Sequence, residues 1–230
     1  MADQYKNSFA GKGVFPPKYA YTLLIPFRNL FLSPRKLIQR LDLRENYNVL
    51  EIGPGPGYFS THIAKQLKGG RLVLLDIQQE MLDFAKKRLD KRKIYNVDYR
   101  LTDGTSLDFD NDHFDRVFMV AVIGEVDNKD GYLREIHRIL KSDGILSISE
   151  LAGDPDKISL NEIKTLVSAH GFNTVEVFGN SRNYTVNFRK KSEDLQHNTK
   201  TNQLMSSTIL QLKQIKHLAS DTIFQLRLQH

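Results

Sequence analysis

The chain has 230 residues, 40% of them hydrophobic and 26% charged, with a formal net charge of +6. That length gives room for one sizeable core with appendages, or two small domains at most. The absence of cysteine excludes disulfides, cysteine-ligated zinc, iron–sulfur clusters and cysteine nucleophiles.

Taken in chain order, residues 1–44 form a basic arm, with eight Lys/Arg against two acids. Its densest apolar run, YAYTLLIPF at residues 19–27, is too short to span a bilayer, and the first residues lack the layout of a secretory signal. The sequence therefore predicts a cytoplasmic protein. Ser33 and Pro34 open a short helix, as an N-cap and a first-turn proline. From residue 47 strand-like runs (NVLEIG, RLVLLD, VDYRLT, DRVFMVAV, ILSISE) alternate with helical patterns (FSTHIAKQL, EMLDFAKKRLDKR, GYLREIHRIL). Near-continuous apolar strands rich in Val, Ile and Leu predict a parallel sheet with helices on both faces. After the helix SLNEIKTLVSAHG the rhythm changes, and TVEVFGN and YTVNFRK predict an antiparallel hairpin at the sheet edge. A polar linker follows, and Met205, Ile209, Leu212, Ile215, Ala219, Ile223 and Leu226 then make one stripe of an amphipathic helix. The expected division is thus an arm at 1–44, a core domain at 45–190, and a linker with tail helix at 191–230.

The stretch VLEIGPGPGYFS at residues 49–60 sets glycines at every second position, Gly53, Gly55 and Gly57, after the acidic Glu51. A dinucleotide fingerprint needs its last glycine at the sixth position. Counted from Gly53, that position holds Tyr58. Pro54 and Pro56 carry no backbone N–H, so the loop is poor in donors for phosphate oxygens. No G-K-[ST] follows, which excludes a P-loop. Asp76 ends the second strand, where a carboxylate can accept from both ribose hydroxyls, and Asp103 follows the third. All of these fall at carboxyl ends of strands, the edge where open α/β sheets bind ligands.

This arrangement resembles the class I S-adenosylmethionine-dependent methyltransferases over roughly residues 45–190. EIGPGPG resembles the family's E/D-x-G-x-G-x-G motif, LLDIQQEML its second-strand acid and TDGTSL its third-strand acid. The resemblance implies a Rossmann-like seven-stranded sheet, mostly parallel with an antiparallel last strand, and S-adenosyl-L-methionine as cofactor. By it, Glu51, Gly53, Gly55 and Gly57 would hold the methionine end. Asp76 would hold the ribose, Ile77 would pack on the adenine, Asp103 and Gly104 would meet the adenine amine, and Val120 and Ala121 would line the methionine side.

A base is needed only where the acceptor arrives protonated. Glu125 in VIGEVD, just after the fourth strand, is the first candidate for acceptor contact or base, with Asp127 second and Tyr184 third. No histidine pair has metal spacing, so no metal is expected. The segment after the fourth strand lacks the N/D-P-P-Y/F pattern of enzymes that methylate base amines, so nucleic acid is disfavoured. The expected acceptor is a small, partly apolar molecule, lipid- or quinone-like. The alternatives are an RNA or protein methyltransferase using the basic flanks, and a non-catalytic S-adenosylmethionine-binding partner subunit. Three roles stand open for the aromatic arm, a lid over the acceptor, a strap packed on the back of the sheet, and peripheral membrane contact. The tail helix is expected to pack on its own protein, with self-association as the next reading.

Overall fold

The computed structural model describes residues 32–191, together with Pro16. The aromatic lid expected before residue 32 and the tail helix expected after residue 191, with the membrane contact and self-association read onto them, lie outside the described residues.

Among the described residues the order is α1 (Pro34–Arg40), β1 (Asn48–Ile52), α2 (Ser60–Gln66), β2 (Arg71–Asp76), α3 (Gln79–Asp90), β3 (Val97–Leu101) and β4 (Phe114–Val120). A short 3-10 turn (Ile123–Glu125), α4 (Lys129–Ile139), β5 (Leu140–Glu150), α5 (Leu160–Ala169), β6 (Phe172–Gly179) and β7 (Tyr184–Lys190) complete it. The strands form one seven-stranded sheet ordered β3-β2-β1-β4-β5-β7-β6. Pairing is parallel from β3 to β5, and β7 runs antiparallel to both β5 and β6. This is the expected fold class, with the order reversing between β1 and β4.

Strand alternation sorts side chains onto two cores. Leu50, Ile52, Val117, Met119, Leu146 and Ile148 pack with Leu133 and Ile136 of α4 and Ile163 and Val167 of α5. On the other face Val49, Leu72, Leu74 and Phe118 pack with Leu37 of α1, Ile63 of α2 and Ala85 and Leu89 of α3. Near-continuous apolar strands follow from having both faces covered.

Two strand boundaries differ from expectation. The fourth strand stops at Val120 rather than Val122, because Ala121 takes φ +56, a left-handed conformation that ends a ladder and that a residue with a Cβ adopts only under constraint. β5 begins at Leu140, directly after α4. Phe114 pairs with Leu140 and Arg116 with Ile145, so the intervening KSDG residues bulge out of register.

α1 is held by polar contacts as well as by Leu37. Ser33 Oγ accepts from the Lys36 amide at 3.3 Å, the capping bond expected of that residue. Arg40 donates to Thr185 Oγ1 at 2.6 Å, and Asn187 Nδ2 donates to the Arg40 carbonyl at 2.6 Å. Arg116 of β4, buried, donates through Nε to the Leu41 carbonyl at 2.6 Å and through NH2 to the Asp42 carbonyl at 3.1 Å. Its guanidinium also lies 4.5 Å from the centre of the Tyr47 ring. Arg116→Met keeps most of the volume but orphans those carbonyls. It is expected to lower unfolding free energy by about 2–3 kcal/mol, read as a reduced urea midpoint with unchanged slope.

Candidate active site

Glu51 shares a face with Val49, so its carboxyl points beneath the start of α2, where Ser60 Oγ donates to Oε2 at 2.6 Å. Burial pushes this carboxyl up to about 8. The Ser60 bond opposes the rise, and the charge of Asp76 adds to it.

Above it runs the glycine loop. Gly53, Gly55 and Gly57 take φ +64, +52 and +75, conformations glycine enters without penalty. Two of these positions also lack room for a side chain. A Cβ on Gly53 would lie 2.5 Å from Val122 Cγ2, and one on Gly57 would lie 3.2 Å from Ala85 Cα and from Leu89 Cδ1 in α3. Two donors of the loop are already used. The Gly53 amide donates to the Leu75 carbonyl at 2.9 Å and the Gly57 amide to the Pro54 carbonyl at 3.1 Å, while the Gly55 amide favours the ionised Asp76 carboxyl. With prolines at 54 and 56, the loop has few donors left for a phosphate.

Asp76 ends β2, and its Oδ1 accepts from the Gln78 amide at 3.0 Å. Burial raises its pKa to about 6, against the pull of the Gln78, Ile77 and Gly55 amides. The Thr102 amide donates to the Asp76 carbonyl at 3.0 Å and so ties the loop after β3 to β2. In that loop Gly104, at φ +78, lies so that a Cβ would stand 3.6 Å from Ile77 Cγ2. Asp103 is exposed, and its Oδ1 accepts from the Thr105 amide at 2.9 Å and the Thr105 hydroxyl at 2.7 Å. The Thr105 hydroxyl is first among the contacts that hold this carboxyl below its ordinary range.

On the other side of the edge, Val120 packs partly buried against the α1–α3 core, and the Ala121 amide donates to the Ser149 carbonyl at 2.8 Å. The chain then folds back, setting Val122 on Gly53 and half-burying Glu125 in the 3-10 turn. Lys129 Nζ staples that turn through the Gly124 and Val126 carbonyls, at 3.2 and 2.6 Å. Gly124 has no room for a side chain, since a Cβ would meet the Asp156 carbonyl oxygen at 1.9 Å. Asp127 is exposed.

The expectation for Tyr184 needs correcting. It is 1% exposed within the core beside α4 and α5, and its hydroxyl donates to the Ile158 carbonyl at 2.7 Å. Burial, and next the charge of Glu150, raises its pKa. A hydroxyl committed in this way fastens a loop and is not placed to meet an acceptor.

The structure brings in residues the sequence reading passed over. Ser60 partners Glu51, Val122 seats the glycine loop, and Tyr132 of α4 lies near enough to Asp76 for that charge to raise its pKa, after burial. Glu150, the last residue of β5, is fully buried. An acid closing the buried stretch ILSIS of that strand was the visible signal for it.

Residues 50–148 match a family model described as a methyltransferase domain. Over those residues the chain is similar to methyltransferase domains. A curated relative of this domain, the ubiquinone/menaquinone biosynthesis C-methyltransferase UbiE of Hydrogenovibrio crunogenus, is 35% identical over 123 residues, which is 53% of this chain and 48% of the relative. The chain thus spans about half the length of that relative. Among solved structures, a SAM-dependent methyltransferase from Aquifex aeolicus superposes with a TM-score of 0.72 at 22% identity, covering 76% of this chain and 98% of that one. The [4+2]-cyclase SpnF superposes with a TM-score of 0.60 at 16% identity, covering 69% and 80%. At such identities the superpositions speak to the fold of the methyltransferase domain and not to its reaction.

The raised pKa of Glu51 has a consequence for stability. Between its ordinary value of 4.5 and about 8 the native state keeps a proton that the unfolded chain releases. Unfolding free energy therefore falls as pH rises through that window. Glu51→Gln removes this share. The loss of stability between pH 5 and pH 8.5, measured by urea unfolding, is expected to shrink by roughly 2–4 kcal/mol.

Proposed function

We propose that this chain is an S-adenosylmethionine-dependent methyltransferase acting on a small, partly apolar acceptor of quinone type. One observation carries the cofactor half of the reading. The glycine loop spends two of its amides on the protein, while two buried carboxyls, Glu51 and Asp76, sit beside it with pKa values raised to about 8 and about 6. Such a site repels phosphate and gains most from a ligand bearing positive charge, because a nearby cation favours the ionised carboxylates. An amino-acid ammonium and a sulfonium are charges of that kind.

The residues fit the remainder of the cofactor. Asp76 has lone pairs beyond those its amide donors use, enough for the two hydroxyls of a ribose. A Cβ on Gly104 would lie 3.6 Å from Ile77 Cγ2, so the bare glycine leaves room beside Ile77 for a flat base. The exposed carboxylate of Asp103, kept ionised by Thr105, accepts from an exocyclic amine. When bound, the cofactor supplies an electrophilic methyl group. The chain then has to align an acceptor nucleophile behind it and keep water away. Val122, resting on Gly53, and the stapled 3-10 turn with Glu125 border the space where that acceptor would lie.

For the acceptor, the support is the name of the UbiE relative, a C-methyltransferase of ubiquinone and menaquinone biosynthesis, together with the apolar lining at Val120 and Val122. Among the described residues no helix is long and apolar enough to cross a membrane.

Calorimetry tests the cofactor half. S-adenosylhomocysteine should bind the full chain, and Asp76→Ala should weaken it by about 30- to 100-fold through loss of two charge-assisted hydrogen bonds. Titrations of S-adenosylmethionine at pH 7 in buffers of different ionisation enthalpy should register proton release, chiefly as Glu51 ionises beside the cation. No binding, or an Asp76→Ala variant that binds like wild type, sinks the reading.

A further inference from the structure

Leu146 and Ile148 of β5 face the core beside α4 and α5, and alternation carries Glu150 to that same face. It is 0% exposed, and among the described residues neither oxygen of its carboxyl has a hydrogen-bond partner. An unpaired buried carboxyl is costly. It persists where the group has a use that the resting protein does not satisfy.

What faces it comes from four elements. Asp154 and Lys157 belong to the loop after β5, and Glu125 to the turn after β4. Tyr184 lies opposite it in the register with β7, and Glu162 of α5 acts on that same tyrosine. None of these supplies the missing donor. Lys157 Nζ donates to the Ser181 and Arg182 carbonyls at 2.6 and 2.8 Å, and the Tyr184 hydroxyl is given to Ile158. The Ile158 amide favours the ionised form without reaching hydrogen-bond geometry. The surroundings are thus rich in negative charge and short of protons to share.

Position along the sheet decides what donor is meant. The glycine loop, Asp76 and Asp103 follow β1, β2 and β3, which leaves the ends of β4 and β5 for whatever meets the cofactor. Those two ends are latched by the Ala121–Ser149 hydrogen bond, and the turn bearing Glu125 rests, through Val122, on Gly53.

We propose that Glu150 is the carboxylate that takes the hydroxyl proton of the methyl acceptor, an assignment that rests on the methyltransferase reading above. The O–H bond of a hydroxylated aromatic breaks and its proton passes to Glu150. The electron pair left on oxygen pushes into the ring, and a ring carbon uses a pair to form the new bond to the methyl group as the S–CH3 bond breaks toward sulfur. Loss of the ring C–H proton restores aromaticity and the oxygen is reprotonated, so one proton leaves overall while the sulfonium charge disappears. Burial, and next the charge of Asp154, hold the Glu150 pKa at about 8, so the ionised form gains as pH rises toward that value.

The test uses the full chain, radiolabelled S-adenosylmethionine and 1,4-naphthoquinol kept reduced under argon. Wild-type kcat/KM should climb about tenfold per pH unit from pH 6 to 7.5 and level near 8. Glu150→Gln should lower kcat by about 100-fold and flatten that climb, with S-adenosylhomocysteine affinity within about threefold of wild type. A variant that keeps the wild-type rate or the wild-type slope overturns the assignment. So does a wild type that binds S-adenosylhomocysteine but neither binds nor methylates the quinol, a result that leaves the cofactor reading standing. Failure to bind S-adenosylhomocysteine sinks the function itself. Should Glu150→Gln not fold, the profile of Glu51→Gln decides, since it removes the other carboxyl held near 8: a flat profile overturns the assignment and a climb toward pH 8 supports it.

Discussion

The burial of Glu51 under the glycine loop is the constraint on which the rest of the site depends. A carboxyl at the end of a central strand is expensive to bury, and its short bond from Ser60 offsets part of that cost. The bond also fixes where α2 must begin, and the chain between Glu51 and Ser60 then has eight residues in which to turn. Three positive-φ glycines make that turn feasible. Once made, it presents amides to Leu75, Pro54 and Asp76, so β1 and β2 are bound to one another through the loop itself. On the opposite flank Gly53 admits Val122 because it lacks a Cβ. One buried acid thereby sets the loop, the second acid and the exit of β4.

Much of this was legible in the sequence. Parallel strands covered on both faces leave a clear trace, because nearly every position is apolar, and the hairpin at the edge announced itself by a change of rhythm. Glycine spacing and strand-end acids singled out the carboxyl edge of the sheet, where the structure gathers Glu51, Asp76 and the glycine loop. What escaped were features that depend on partners far away in the chain. Ala121 ends β4 early because of a local φ that no propensity encodes. Tyr184 looked available because it stands beside a turn, yet Ile158, 26 residues upstream, claims its hydroxyl. Glu150 looked like a strand terminus, and only the packed structure reveals that its oxygens lack partners.

The three acids share one physical condition. Burial raises Glu51, Asp76 and Glu150 above their ordinary values, so each is a reservoir of unfavourable desolvation once it ionises. The protein tolerates this because marginal stability leaves room for a few such groups, and because they stand at one edge where a ligand can relieve them together. A cation near Glu51 and Asp76 lowers both pKa values. A hydroxyl near Glu150 supplies the hydrogen bond that its own neighbours withhold.

The placement of these acids divides the edge into two chemically unlike halves. The ends of β1 to β3 combine backbone partly satisfied by the protein with carboxylates suited to hydroxyls, an amine and a cation. The ends of β4 and β5 carry a strained residue, a turn pinned by Lys129, and a carboxyl without partners. The order of the sheet makes the division, since the reversal between β1 and β4 opens the crevice at that point. Methyl transfer needs two ligands held end to end, one donating the carbon and the other yielding a proton. On the proposed function, cation-favouring acids on one side of the reversal and an unpaired carboxyl on the other would serve that pairing. This fold is host to other reactions too, so the second half of the edge, more than the first, is where the chemistry of this chain is chosen.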